Sequence, residues 1–197
     1  MDWSRRTFLK VVSGLAGAVV GGLIARAARA RARVPLRPPG ALSEEDFLAR
    51  CIRCQQCVNA CPTDVLQVAP PSTGLSMGTP YIVAREIPCD LCMGRDQMRC
   101  IPACPTDALK PLTHRQDVRM GVAVIDDTTC LPFVGVSCKA CWHACPYAKQ
   151  AIGFDPLGRP HVVDEGCVGC GLCVRACLTE PTSIQVVPFG GRRSSVS

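Results

Sequence analysis

Short apolar segments alternate with cysteine-rich loops along the second half of the chain. Residues 122–125, 152–154, 161–163 and 184–187 are mainly apolar runs of three or four residues, and runs of this length predict small β-strands. The turn-forming residues 155–160 lie between the middle two runs, so these are predicted to form a β-hairpin. The pattern indicates an α+β chain in which each unit consists of a strand, a cysteine loop, a short helix and a strand.

The first half carries a helix signal close to its first cysteine. Residues 43–46 read Ser-Glu-Glu-Asp ahead of an apolar pair, which is the form of a capping box and predicts a short helix leading to Cys51. Proline-rich residues 34–43 predict an extended linker, and residues 70–74 a surface loop. We expect residues 188–197 to form a polar tail.

Residues 1–33 have the organisation of an export signal. Arg5 and Arg6 precede an apolar run at residues 11–24, which is short for a bilayer span and has the flanks of a signal peptide. The twin arginine followed by Phe-Leu-Lys resembles the leader of the twin-arginine route, which exports folded proteins. We therefore expect a periplasmic protein. Two questions stay open: whether the leader is cleaved, and whether it serves as a membrane anchor.

All sixteen cysteines fall into four motifs. The first and fourth have the spacing C-x2-C-x2-C-x3-C, and the second and third contain seven residues in place of two, at residues 93–99 and 131–137. Three closely spaced thiolates followed by a displaced fourth are typical of [4Fe-4S] ligation. The motifs are Cys51, Cys54, Cys57, Cys61; Cys89, Cys92, Cys100, Cys104; Cys130, Cys138, Cys141, Cys145; and Cys167, Cys170, Cys173, Cys177. They predict four [4Fe-4S] clusters.

Other uses of cysteine fit the spacing less well. Disulfide scaffolds do not normally repeat C-x2-C triplets, structural zinc sites use two separated cysteine pairs, and no C-x2-C-H haem motif occurs. The chain has only nine aromatic residues, so a conventional core would be thin. Because metal binding contributes directly to folding free energy, we expect the clusters to form the core.

The net charge of +6 does not indicate a nucleic-acid partner. Residues 1–40 carry eight of the 22 basic groups and one of the 16 acidic groups, which leaves 14 basic and 15 acidic groups in residues 41–197. Four bound clusters would bring that body to a charge of about −9. Such a charge suits steering toward a complementary redox protein. The glycines of residues 166–171 belong to a cysteine loop and not to a phosphate site. With no catalytic constellation and no small-molecule substrate site indicated, we expect an electron carrier and not an enzyme.

The four motifs and their order resemble bacterial polyferredoxins built from tandem ferredoxin-like units with two [4Fe-4S] clusters each. Together with the twin-arginine leader, they are similar to the ferredoxin-type NapG/MauM family of periplasmic nitrate reductase systems. The likeness covers residues 4–10 and about 44–187, and we take residues 44–187 as the four-cluster domain. One departure is Leu178, which follows the last cysteine where the other motifs have proline.

In two-cluster ferredoxins the fourth cysteine of one motif completes the cluster of its partner. The outer motifs are compact and the inner ones widened, so we expect nested pairing of the first motif with the fourth and the second with the third; sequential pairing remains the alternative. The nested ligand sets are Cys51, Cys54, Cys57, Cys177; Cys167, Cys170, Cys173, Cys61; Cys89, Cys92, Cys100, Cys145; and Cys130, Cys138, Cys141, Cys104.

The resemblance implies a function in electron transport. Electrons would come from a membrane-bound, quinol-oxidising iron–sulfur protein and pass to a periplasmic reductase or its electron-transfer subunit, with nitrate reductase as the expected acceptor. Two alternatives stay open. The first is an iron–sulfur subunit of another exported oxidoreductase, such as a molybdenum reductase or a methylamine oxidation system. The second is a cofactor maturation or assembly factor.

Overall fold

The computed structural model describes residues 34–189 of the chain. The predicted export segment at residues 1–33 and most of the predicted tail lie outside the described residues. None of the helices between residues 34 and 189 has both the length and the apolar character needed to cross a bilayer.

The helices are short, and most of them lie within or beside the cysteine motifs. The first begins as the capping pattern predicts, because the Ser43 side chain accepts a hydrogen bond from the Asp46 N–H. The α-helices are α1 (Glu44–Arg50), α2 (Gln56–Asn59), α3 (Ala140–Ala144), α4 (Ala148–Ala151) and α5 (Leu172–Ala176). Single 3₁₀ segments span Pro71–Ser76, Arg115–Asp117 and Leu131–Val134.

The strands form three two-stranded antiparallel sheets. They are β1 (Leu66–Val68), β2 (Pro80–Ile82), β3 (Gly121–Ile125), β4 (Ile152–Phe154), β5 (Pro160–Val162) and β6 (Ile184–Pro188). β1 pairs with β2, β4 pairs with β5 as a hairpin, and β3 pairs with β6 across the sequence between them. The four strands and the hairpin predicted in the second half are confirmed, with ends shifted by one residue at most.

In two respects the first half of the chain differs from what the sequence predicts. The strands β1 and β2 were not predicted individually, because a three-residue apolar run between proline-rich loops gives little pattern. The second motif contains turns where a short helix was expected. The surface loop predicted at residues 70–74 is largely exposed, and it overlaps the 3₁₀ segment that begins at Pro71.

Residues 34–43 pack against the rest of the chain and do not form a free linker. Leu36 forms an isolated antiparallel bridge with Ile82, and Arg37 is 5% exposed. Its guanidinium makes a two-pronged contact with the Glu44 carboxylate at 2.6 and 2.8 Å and also donates to the Thr79 hydroxyl. The extended-linker prediction is therefore wrong, because these prolines lie against a surface that the sequence did not reveal.

The chain forms two modules of similar design, the first at residues 34–118 and the second at residues 120–188. In the second module, β3 and β6 bracket the third and fourth motifs. In the first, this outer pairing is reduced to one bridge between Ala41 and Leu109. One buried cluster spans both modules, since Val168 and Cys170 pack with residues of the first module such as Leu91.

Candidate iron–sulfur centres

Every cysteine lies within the described residues, and all sixteen are free of disulfide bonds. They gather into four sets, which we name site A to site D. Site A holds Cys51, Cys54, Cys57 and Cys104; site B holds Cys89, Cys92, Cys100 and Cys61; site C holds Cys167, Cys170, Cys173 and Cys145; and site D holds Cys130, Cys138, Cys141 and Cys177.

Three of these sets line separate small cavities. The four thiols of site B surround one, those of site C a second and those of site D a third. In site A, the thiol of Cys57 interacts electrostatically with Cys51, Cys54 and Cys104. Each site thus combines three cysteines of one motif with the fourth cysteine of the neighbouring motif.

The nested pairing expected from the sequence is wrong, since Cys61 lies with Cys89 in site B and not with Cys167. The reason is the strand pairing. β1 follows the first motif and β2 precedes the second, so their hairpin returns the chain and places Cys61 beside Cys89. The β4–β5 hairpin places Cys145 beside Cys167 in the same way. Motif widths carry no information about this pairing.

Left-handed backbone positions shape the cysteine loops. In the first motif they are occupied by Arg53 at φ 58° and Gln55 at φ 61°, and in the fourth by Gly169 at φ 73° and Gly171 at φ 84°. Glycine is required at Gly171, because an added Cβ would overlap the methyl group of Ala84 in the first module. The loop of site C therefore lies directly against the first module.

Backbone amides point at the cysteine sulfurs. The Ala123 N–H donates to Cys167 Sγ at 3.5 Å, and Cys89 and Cys170 accept from the N–H groups of Leu91 and Leu172. Such donors stabilise negative charge on sulfur and orient the ligand.

Threonine hydroxyl groups lie beside three of the four displaced cysteines, where a hydroxyl can donate to a ligated thiolate. Thr63 Oγ1 lies 3.8 Å from Cys61 Sγ, Thr106 Oγ1 lies 3.8 Å from Cys104 Sγ, and Thr179 Oγ1 lies 3.2 Å from Cys177 Sγ. These threonines were not among the predicted site residues, although three motifs have a threonine two positions after the last cysteine.

The thiols are crowded and partly desolvated. Burial raises the pKa of Cys57 to about 11, with further increases from Cys51 and Cys104, and burial raises the pKa of Cys100 to about 12. At Cys104 burial also opposes ionisation, but hydrogen bonds led by the Thr106 N–H outweigh it and lower the pKa of the thiol.

Four thiolates can share such a space only when a cationic group compensates their charge. Between residues 34 and 189, no group of three or more His, Cys, Asp or Glu side chains is arranged to hold a single metal ion. In sites B, C and D the four cysteines line one cavity each, and in site A Cys57 interacts with the other three. Four cysteines, three from one motif and a displaced fourth, are the donor set of a [4Fe-4S] cubane. The residues of each site therefore fit a [4Fe-4S] cluster.

The four sites follow one another in the order A, B, C, D. The thiol of Cys100 in site B interacts with Cys57 in site A, and that of Cys173 in site C interacts with Cys141 in site D. Between the modules, the Cys89 N–H donates to the Cys170 carbonyl at 3.0 Å. A continuous row of ligand residues thus runs through both modules.

Exposure changes along this row. Cys54 of site A is the one exposed cysteine among the described residues, whereas the three loop cysteines of site B, and likewise those of site C, are buried. The site D cysteines are intermediate. The outer sites are therefore the ones accessible to partners.

The structure also shows the surroundings of Leu178 and Trp142, which lie beside cysteines of the fourth and third motifs. Leu178, the departure from proline, is 72% exposed, and Cys177 still lies in site D. Trp142 contacts the His143 ring edge-on, with centroids 5.1 Å apart. Arg85, which no pattern indicated, donates to the carbonyls of Val174 and Cys177 and so joins the first module to the end of site D.

Comparison with known proteins gives the same division of the chain. Residues 50–108 and residues 123–185 each match a 4Fe-4S dicluster domain family, and these ranges correspond to sites A and B and to sites C and D.

Relatives resemble the chain over nearly its whole length. It is 42% identical to the ferredoxin-type protein NapG of Escherichia coli, over 94% of this chain and 86% of that protein. It is 39% identical to the methylamine utilization ferredoxin-type protein MauM of Methylobacillus flagellatus, over 94% of this chain and 80% of that protein. No solved structure matches it. The chain therefore belongs to the ferredoxin-type NapG/MauM family and contains two 4Fe-4S dicluster domains.

Proposed function

We propose that the protein is an electron carrier that binds four [4Fe-4S] clusters, one in each of sites A to D, with the sixteen cysteines as ligands. The observation that carries this proposal is the uninterrupted row of the four sites, with the Cys89–Cys170 hydrogen bond at the junction of the modules. When bound, the clusters supply one-electron chemistry. The chain fixes their order, excludes water from the two inner sites and offers sulfur-directed donors.

The relatives support a direction of electron transfer. The NapG likeness favours transfer from a membrane quinol-oxidising partner to a periplasmic reductase, with nitrate reductase as the acceptor. The export signal predicted at residues 1–33 supports a periplasmic location, which the protein would reach in the folded state, with cluster insertion before export. Folded export would also protect sixteen thiols from oxidation.

A second candidate is supported by the MauM relatives, whose identity to the chain is similar. In this case the protein would serve methylamine oxidation. Methylamine would then be the source of electrons, so the two functions differ in the reactant that changes the redox state of the carrier.

The test uses the full chain, purified anaerobically, with membranes and periplasmic extract of the source cells. The nitrate function predicts that quinol plus membranes reduces the carrier, as followed by EPR, and that nitrate plus periplasmic extract reoxidises it. Reduction by methylamine plus extract, without reoxidation by nitrate, would establish the second candidate instead. If neither reactant changes the EPR signal, the relay function is wrong and an assembly role is favoured.

A further inference from the structure

The position two residues after the displaced cysteine distinguishes one site from the other three. Sites A, B and D have Thr106, Thr63 and Thr179 there, each with its hydroxyl oxygen within 3.8 Å of the cysteine sulfur. In site C the displaced ligand is Cys145, and Tyr147 occupies this position. Tyr147 lines the site C cavity, and its N–H still donates to Cys145. A tyrosine ring replaces the short hydroxyl donor.

In site D the Thr179 hydroxyl lies 3.2 Å from Cys177 Sγ and 2.7 Å from the Ser183 hydroxyl, and it accepts a hydrogen bond from the Ser183 N–H at 2.8 Å. A thiolate that ligates a cluster has no proton and can only accept a hydrogen bond. With Cys177 as a ligand, Thr179 is therefore the donor in their contact, and the Ser183 hydroxyl can supply the proton for the contact between the two hydroxyl groups.

Burial, like the missing threonine hydroxyl, makes site C harder to reduce. Cys167, Cys170 and Cys173 are 8%, 6% and 7% exposed. Reduction adds one electron and hence one negative charge to a site, and a desolvated site opposes added charge. A hydroxyl donor to sulfur favours the reduced state, because its hydrogen bond strengthens as charge on sulfur grows.

We infer that Tyr147 in place of threonine makes site C the hardest of the four sites to reduce. Site B has comparable burial but keeps the Thr63 hydroxyl, and sites A and D are less buried. This inference rests on the proposed cluster binding. It adds an order of reduction potentials within the chain, in which the inner site C has a more negative potential than the outer sites A and D. The threonines and Tyr147 are positioning residues that act through the cysteines.

The test is a redox titration of the anaerobically purified full chain, followed by EPR, for Tyr147→Thr and its control Tyr147→Phe. One hydrogen bond of about average strength changes a reduction equilibrium constant about fivefold, or about 40 mV for one electron. Tyr147→Thr should make the most negative component easier to reduce by this amount, while Tyr147→Phe leaves it in place. Cys173→Ser, which alters a site C ligand, should perturb the same component.

The opposite change provides a second arm. Thr106→Val should make one of the less negative components about fivefold harder to reduce, and Thr106→Ser should not. The inference is overturned if Tyr147→Thr shifts no component or a different one, if Tyr147→Phe shifts it equally, or if Thr106→Val has no effect. Should Tyr147→Thr fail to bind iron, Cys173→Ser decides, because the component that it perturbs must be the most negative one if site C is the hardest site to reduce. These potentials need no partner protein, so they are independent of the test of the relay function.

Discussion

The contact between Gly171 and Ala84 tests the junction of the two modules. Gly171 has φ +84°, and a Cβ at this position would overlap the Ala84 methyl group. Alanine in the left-handed region costs about 1–2 kcal/mol, and overpacking a buried contact costs about 1–3 kcal/mol. We expect Gly171→Ala to lower the free energy of unfolding by about 2–5 kcal/mol.

A matched control separates the two contributions. Gly158 has φ +77° in the β4–β5 turn, and nothing lies within 4 Å of an added Cβ. Gly158→Ala should therefore show only the backbone cost of about 1–2 kcal/mol. In addition, Ala84→Gly should relieve the overlap, so the double variant with Gly171→Ala should recover about 1–3 kcal/mol.

The assay is anaerobic urea unfolding of the iron-loaded protein, with far-UV circular dichroism as the signal. With a slope of about 2 kcal/mol per molar urea, the Gly171→Ala midpoint should fall by about 1–2.5 M, and the control midpoint by about 0.5–1 M. Equal effects of the two glycine substitutions, or no recovery in the double variant, would refute the close approach of the modules.

Three further predictions address the packed N-terminal residues, the ligands and export. Arg37→Met should cost about 3–5 kcal/mol in urea unfolding because it leaves a partly buried carboxylate without its partner. Glu180→Gln breaks only the exposed ion pair with Arg85, worth about 1 kcal/mol or less, and keeps the Arg85 contacts with backbone carbonyls; similar losses would contradict this difference. Cys57→Ser should remove or alter one EPR-detectable centre and lower the iron content, and an unchanged iron count would contradict its assignment as a ligand. Replacement of Arg5 and Arg6 by lysine should retain iron-loaded protein in the cytoplasm on cell fractionation, and normal export would rule out the twin-arginine prediction.

The sequence predicted the cysteine motifs and the strands of the second module because both are local patterns. Residues 152–154 and 184–187 formed strands as expected, and Ser43 caps a helix. The sequence could not predict which motifs pair, because the pairing depends on the β1–β2 hairpin, which places Cys61 beside Cys89.

The packing of residues 34–43 could not be predicted from the sequence either. Proline-rich sequence is typical of linkers, and only the buried partners of Arg37 show that this segment belongs to the first module. The threonines were visible as a repeat in the sequence, but only the distances between each hydroxyl and its sulfur show that they lie beside the ligands.

The central claim is that sixteen cysteines hold four clusters in one row. The most direct measurement is the iron and acid-labile sulfide content of the anaerobically purified full chain, with Mössbauer spectroscopy to identify the iron. Four bound clusters correspond to about 16 iron and 16 sulfide per chain, all in [4Fe-4S] form. A fully folded protein with half this content, or with zinc in place of iron, would contradict it.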